Sequence, residues 1–102
     1  MVLTSKQKTE LKESIRDSLC DEREVTKIIL FGSFVDSDDP HDIDVAVFQD
    51  SSQDYLTLAL KYRKKIRPLA KRIPFDIFPL KTHAEGAVFM DQINAGEVIY
   101  ER

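Results

Sequence analysis

At 102 residues with a formal net charge of −3, the chain has the length of one domain over residues 1–102 with one core, and no room for a second substrate-holding domain. Its 42% hydrophobic and 32% charged residues are ordinary for a soluble globular domain, and its longest apolar run falls far short of a membrane span. Cys20, the only cysteine, excludes a disulfide framework and a cysteine zinc site; with a start that lacks a signal-peptide pattern, the expected location is cytoplasmic.

Charge is unevenly spread. Residues 1–60 carry a net −7 and residues 61–102 a net +4. The acidic half centres on a loop over 36–44, which suits cations. The basic half centres on 61–72, which suits phosphates or acidic partners, or is a solvated helix face. Sparse aromatics and the acidic total argue against nucleic acid as the main ligand.

In chain order, Thr4 and Gln7 have the spacing of a capping box, and Leu11, Ile15 and Leu19 form one apolar stripe on a first helix. Asp21–Glu24 ends it. Val25–Phe31 is a strand, continuously apolar from Ile28 and so covered on both sides. Gly32-Ser33 turns the chain into a loop rich in Asp, Ser and Pro. Asp42–Phe48 is a second strand. Period two puts Asp42, Asp44, Ala46 and Phe48 on one face and Ile43, Val45 and Val47 on the other.

A long helix follows from Asp54 to about Arg72, with Leu56, Ala59 or Leu60, Ile66 and Leu69 expected inward and Pro68 expected to kink or split it. Pro74–Phe78 is a third strand, expected short because Pro74 and Pro79 bracket it; Asp76 and Phe78 share a face. Thr82–Glu85 reads as a second capping box, with His83 in the first turn of a helix that turns Val88, Phe89 or Met90 and Ile93 inward. Gly96 suits a left-handed stop after it, and Glu97–Glu101 a last strand. This order predicts an α/β (α+β) domain, a small mixed sheet with helices packed on one face.

Asp42 and Asp44 lie two apart on a strand and so share a face. Two bare carboxylates that close repel, and a bound Mg²⁺ removes the conflict. If the third strand neighbours the second, Asp76 joins them, and three carboxylates suit two metal ions astride an in-line phosphoryl displacement. Gly32 lets backbone approach a phosphate, and the Ser33 hydroxyl can donate to one. His41 reads as an exposed loop histidine.

An apolar strand, Gly-Ser, a spacer, Asp-x-Asp and a lone Asp in a later strand together resemble the nucleotidyltransferase superfamily with the DNA polymerase β-like fold. At this length the chain is similar to the minimal nucleotidyltransferase (MNT) group. The resemblance implies that Gly32 and Ser33 contact nucleotide phosphates, that Asp42 and Asp44 bind metal, and that Asp76 shares a metal and helps activate the attacking hydroxyl. It implies Mg²⁺-dependent transfer of AMP from ATP with release of pyrophosphate. It also implies an antitoxin role, with a tyrosine of an all-helical HEPN-type toxin as acceptor. The chain departs from the family in one place. The eight residues between Ser33 and Asp42 are acidic where many members are basic. Two other readings follow: an antitoxin that acts by docking alone, and nucleotidyl transfer to a small molecule.

Overall fold

The computed structural model describes residues 2–82 and 90–102. Helix α1 (Ser5–Leu19) starts where the sequence places a cap. The Thr4 side chain accepts from the Gln7 backbone N–H, and the Gln7 side chain accepts from the Thr4 N–H. Strand β1 (Val25–Phe31) is followed by a single turn of helix, α2 (Ser33–Asp36). Strand β2 (Ile43–Gln49), helix α3 (Tyr55–Ala70), strand β3 (Phe75–Lys81), helix α4 (Met90–Asn94) and strand β4 (Glu97–Glu101) complete the order.

The four strands form one mixed sheet in the order β3-β2-β1-β4. β1 runs antiparallel to β2 and β4, and β2 runs parallel to β3. The expected α/β fold is therefore present. Alternation divides the strand residues between two faces. On one face Ile28, Leu30, Ile43, Val45, Val47 and Ile77 pack with Leu11, Ile15 and Leu19 of α1 and Leu58, Tyr62 and Ile66 of α3. Each fully buried aliphatic side chain there contributes about 1.5–3 kcal/mol of transfer free energy. Among the described residues the other face carries a smaller cluster. Ile29, Phe31, Ala46 and Phe48 meet Ile93 of α4, with Phe78, Leu80 and Met90 at the margin.

Five expectations need correction. The inward residues of α3 are Leu58, Ala59, Tyr62 and Ile66, whereas Leu56 and Leu60 are exposed. Three leucines at 56, 58 and 60 fit two helical phases, and the phase that buries Tyr62 and Ile66 wins. Pro68 does not split α3, which runs on to Ala70. Proline here forfeits a bond only near the end of the helix, where Leu69 still packs on the core. β3 is two residues longer than the five expected and contains Pro79. It is an edge strand, and an edge tolerates a residue that cannot donate to the ladder. Gly96 is not left-handed, since Gly32 alone of the described residues has positive φ. Gly96 is required instead by contact: a Cβ there would run into the Leu30 carbonyl and crowd Ile29 and Phe31. β2 starts one residue later than expected, so Asp42 just precedes it. His83, Val88, Phe89 and the Thr82–Glu85 capping box fall on or depend on residues outside those described.

Candidate functional site

Parallel pairing of β2 with β3 sets Asp44 opposite Asp76. Asp42 shares the same side of β2, one strand repeat away. Each of the three carboxylates offers an oxygen, and these oxygens lie within 4.8 Å of one another. Asp42 and Asp44 are half-buried and Asp76 is exposed, so the cluster opens to solvent on the β3 side.

The strain of this arrangement falls on Asp44. Burial pushes its carboxyl up to about 6, and the negative charges of Asp42 and Asp76 push the same way, as does the hydrogen bond that protonated Asp44 donates to Asp76. A carboxyl so placed ionises later than an ordinary one, near pH 6, and its charge above that pH is relieved by a bound cation. Three converging hard oxygens match what a divalent ion such as Mg²⁺ takes from protein, one or more carboxylates with room left for phosphate and water.

Gly32 forms the wall behind Asp44. Its φ is +80°, a conformation L side chains rarely adopt, and a Cβ there would strike the Asp44 carboxylate. Two separate reasons thus require glycine. The turn it makes starts α2, closed by Val35 N–H to Gly32 O at 3.1 Å and Ser37 N–H to Ser33 O at 2.8 Å. Phe34 is fully buried and anchors the turn. Lys8 braces it from α1, lying over the Phe34 ring and donating to Ser37 O at 2.6 Å.

The Ser33 hydroxyl is buried without a hydrogen-bond partner among the described residues. Natural structures seldom leave such a group unsatisfied, and a ligand oxygen is one way to complete it. Ser33 and Gly32 line a cavity of about 280 Å³ together with Val35, Asp36, Gln92, Ala95 and Gly96. The structure therefore brings Asp42, Asp44 and Asp76 into one cluster with Gly32 against Asp44, and sets Ser33 one residue on, lining a cavity that none of the three carboxylates lines, while His41 stays exposed in the loop. Sequence reasoning missed the far wall of this cavity. Only the close approach of Gly96 to β1 brings Gln92 and Ala95 across from the Gly-Ser turn, and no local signal marks it.

No curated protein sequence matches the chain significantly. Solved structures do, at identities that speak for the fold. One is a tri-AMPylated Shewanella oneidensis HEPN toxin in complex with its MNT antitoxin. It matches at 23% identity over 93% of this chain and 73% of the other, with a TM-score of 0.63. Another is a toxin–antitoxin with AMP-PNP, at 22% identity over 89% and 73% of the two chains and a TM-score of 0.70. A third, a toxin–antitoxin MntA–HepT complex, gives 21% identity over 93% and 70%, with a TM-score of 0.52. Residues 13–102 match the family described as Polymerase beta, Nucleotidyltransferase. With nearly the whole chain covered, and with strands, turn and carboxylates disposed as above, this protein belongs to the polymerase β-type nucleotidyltransferase family.

Proposed function

We propose that the protein is an Mg²⁺-dependent adenylyltransferase that moves AMP from ATP to a hydroxyl, most naturally a tyrosine of an all-helical HEPN-type toxin beside which it works in the cytoplasm as antitoxin. The observation that carries this reading is the convergence of Asp42, Asp44 and Asp76 within 4.8 Å, with Gly32 of the Gly-Ser turn against Asp44. The neighbours add support: one is an MNT antitoxin with an AMPylated HEPN toxin, and another holds an ATP analogue.

In this reading Asp42, Asp44 and Asp76 hold the divalent metal, which supplies charge neutralisation for the triphosphate. Gly32 leaves its backbone open to the phosphates, and the Ser33 hydroxyl donates to one of them. Asp76, the exposed member, takes the proton of the acceptor hydroxyl. The acceptor oxygen forms a bond to the α-phosphorus as the bond to the β-phosphate oxygen breaks, and pyrophosphate leaves. Positioning and electrostatics account for most of such catalysis.

One observation favours docking without transfer. The cavity beside Ser33 is lined by Asp36 and by no cationic side chain among the described residues, which weakens its hold on a triphosphate. The two readings separate cleanly. Radiolabelled ATP and Mg²⁺ are incubated with this protein and a HEPN-type helical protein, and labelled partner is followed alongside its intact mass. Transfer predicts added AMP that Asp44→Asn abolishes. Equal labelling with Asp44→Asn contradicts the mechanism. An Asp42/Asp44 double variant that still neutralises the partner supports docking alone.

A further inference from the structure

Helix α3 presents two unlike flanks. On one, Lys61 pairs with Glu22 at 2.8 Å and Glu24 at 2.6 Å, and Lys65 with Asp21 at 2.7 Å and Glu22 at 2.9 Å. These bonds fasten α3 to the segment after α1. The other flank carries Leu56, Leu60, Arg63 and Arg67, whose spacings of four, three and four place them in one row along the helix. Leu56 is 66% and Leu60 59% exposed, among the largest apolar exposures on the molecule. Arg63 and Arg67 make no ion pair or side-chain hydrogen bond among the described residues. Both arginines rim a groove of about 210 Å³ between α3 and the edge strand β3, floored by Ile66, Phe75 and Ile77.

We infer that this flank of α3, with the groove beside β3, is the docking surface for an amphipathic helix of a partner protein that carries leucine-type residues one turn apart followed by carboxylates. The inference rests on the proposed function in taking a helical protein as the partner. Three features select that occupant. Apolar residues four apart followed by cations match a helix with apolar residues one turn apart followed by acids. The two unpaired guanidiniums demand negative charge opposite them, and they suit carboxylates through their forked donors. Strand addition is disfavoured, because Pro79 interrupts the donors of the β3 edge. A second copy of this chain fits poorly: a face-to-face pair sets arginine against arginine or arginine against leucine. Beside its acidic loop around Asp36, Asp38 and Asp39 the exposed large apolar side chain is Val2, one where Leu56 and Leu60 present two.

The test uses the intact protein and a fluorescein-labelled synthetic helical peptide with leucines one turn apart and glutamates on the next two turns. A matched peptide with lysines for glutamates and a short single-stranded RNA serve as the other probes, all read by anisotropy. The glutamate peptide should bind, and the lysine peptide should not. Arg63→Glu with Arg67→Glu should weaken the glutamate peptide by about tenfold or more and reverse the preference between the two. Leu56→Ser with Leu60→Ser should weaken it at least about fivefold. All are surface changes, and circular dichroism confirms folding. Equal binding of both peptides, binding of neither, or RNA binding that depends on the arginines overturns the inference. So does concentration-dependent dimerisation of the wild type that Leu60→Ser abolishes. Binding of Mg²⁺ and an ATP analogue is titrated in the same samples. Peptide binding without nucleotide binding would reject the enzymatic reading and leave the docking surface standing.

Discussion

The two faces of the sheet are built from the same strands and have opposite tasks. On the face under α1 and α3, Ile28, Leu30, Ile43, Val45 and Val47 are fully buried. On the other face the same strand β2 carries Asp44, with Asp76 beside it on β3, and among the described residues Ile29, Phe31, Ala46, Phe48 and Ile93 form a core. The comparison teaches how so small a domain bears three adjoining carboxylates. One face supplies the packing that holds the strands in register, and the register then holds Asp44 against Asp76 at a cost to folding. Interactions on the first face should stabilise when present, and carboxylate charge on the second should destabilise until a cation binds.

The largest effect expected on stability comes from the packed face. Ile28→Ala should lower the unfolding free energy by about 2–5 kcal/mol, read by urea denaturation, because a fully buried side chain leaves a cavity. A smaller loss would show that the first face is not the structural one. Next in size is Gly32→Ala on the second face. It meets both a positive φ and the Asp44 carboxylate, so a loss of roughly 2–3 kcal/mol is expected. Adding Asp44→Asn should recover less than half of it, since the backbone strain remains.

Asp44→Asn alone should act in the opposite direction to Ile28→Ala. Folded Asp44 keeps its proton up to about pH 6, whereas the ordinary value is 3.8. Between those values the folded state binds more protons than the unfolded, so this group makes stability fall as pH rises through that window and stay lower above it. Asp21 and Glu22, held below their ordinary range chiefly by hydrogen bonds from Lys65 and from Lys61 respectively, work in the other sense. The difference between wild type and Asp44→Asn isolates the site. The metal-free variant should be more stable at pH 7 by on the order of 1–3 kcal/mol, with the gain vanishing near pH 4. A variant less stable at pH 7 would contradict the account of the second face. The smallest effect belongs to Tyr62, fully buried on the first face, whose hydroxyl has no hydrogen-bond partner by distance and angle among the described residues. Tyr62→Phe should be neutral or stabilising by up to about 1 kcal/mol in the same assay.

Much of this was legible in the sequence, and the reasons are local. Alternation assigned Ile43, Val45 and Val47 to one face and Asp44, Ala46 and Phe48 to the other without knowledge of any neighbour. The capping box of Thr4 and Gln7 marked the start of α1, because both halves of that interaction lie within one turn. What failed depends on contacts between distant segments. The phase of α3 is decided by what lies beneath Tyr62, the length of β3 by its place at the edge, and the role of Gly96 by the passage of β1 below it. The convergence of Asp76 with Asp42 and Asp44 is of the same kind: the sequence made it conditional on β3 lying beside β2, and the pairing meets that condition.

The claim on which the functional reading depends is that the second face binds nucleotide through a metal held by the three carboxylates. Calorimetric titration with AMP-PNP tests it most directly, in Mg²⁺ and in EDTA, for wild type and Asp44→Asn. The account predicts saturable one-to-one binding for wild type in Mg²⁺, and none in EDTA or with Asp44→Asn. Binding of equal strength in EDTA, or undiminished in Asp44→Asn, would contradict it.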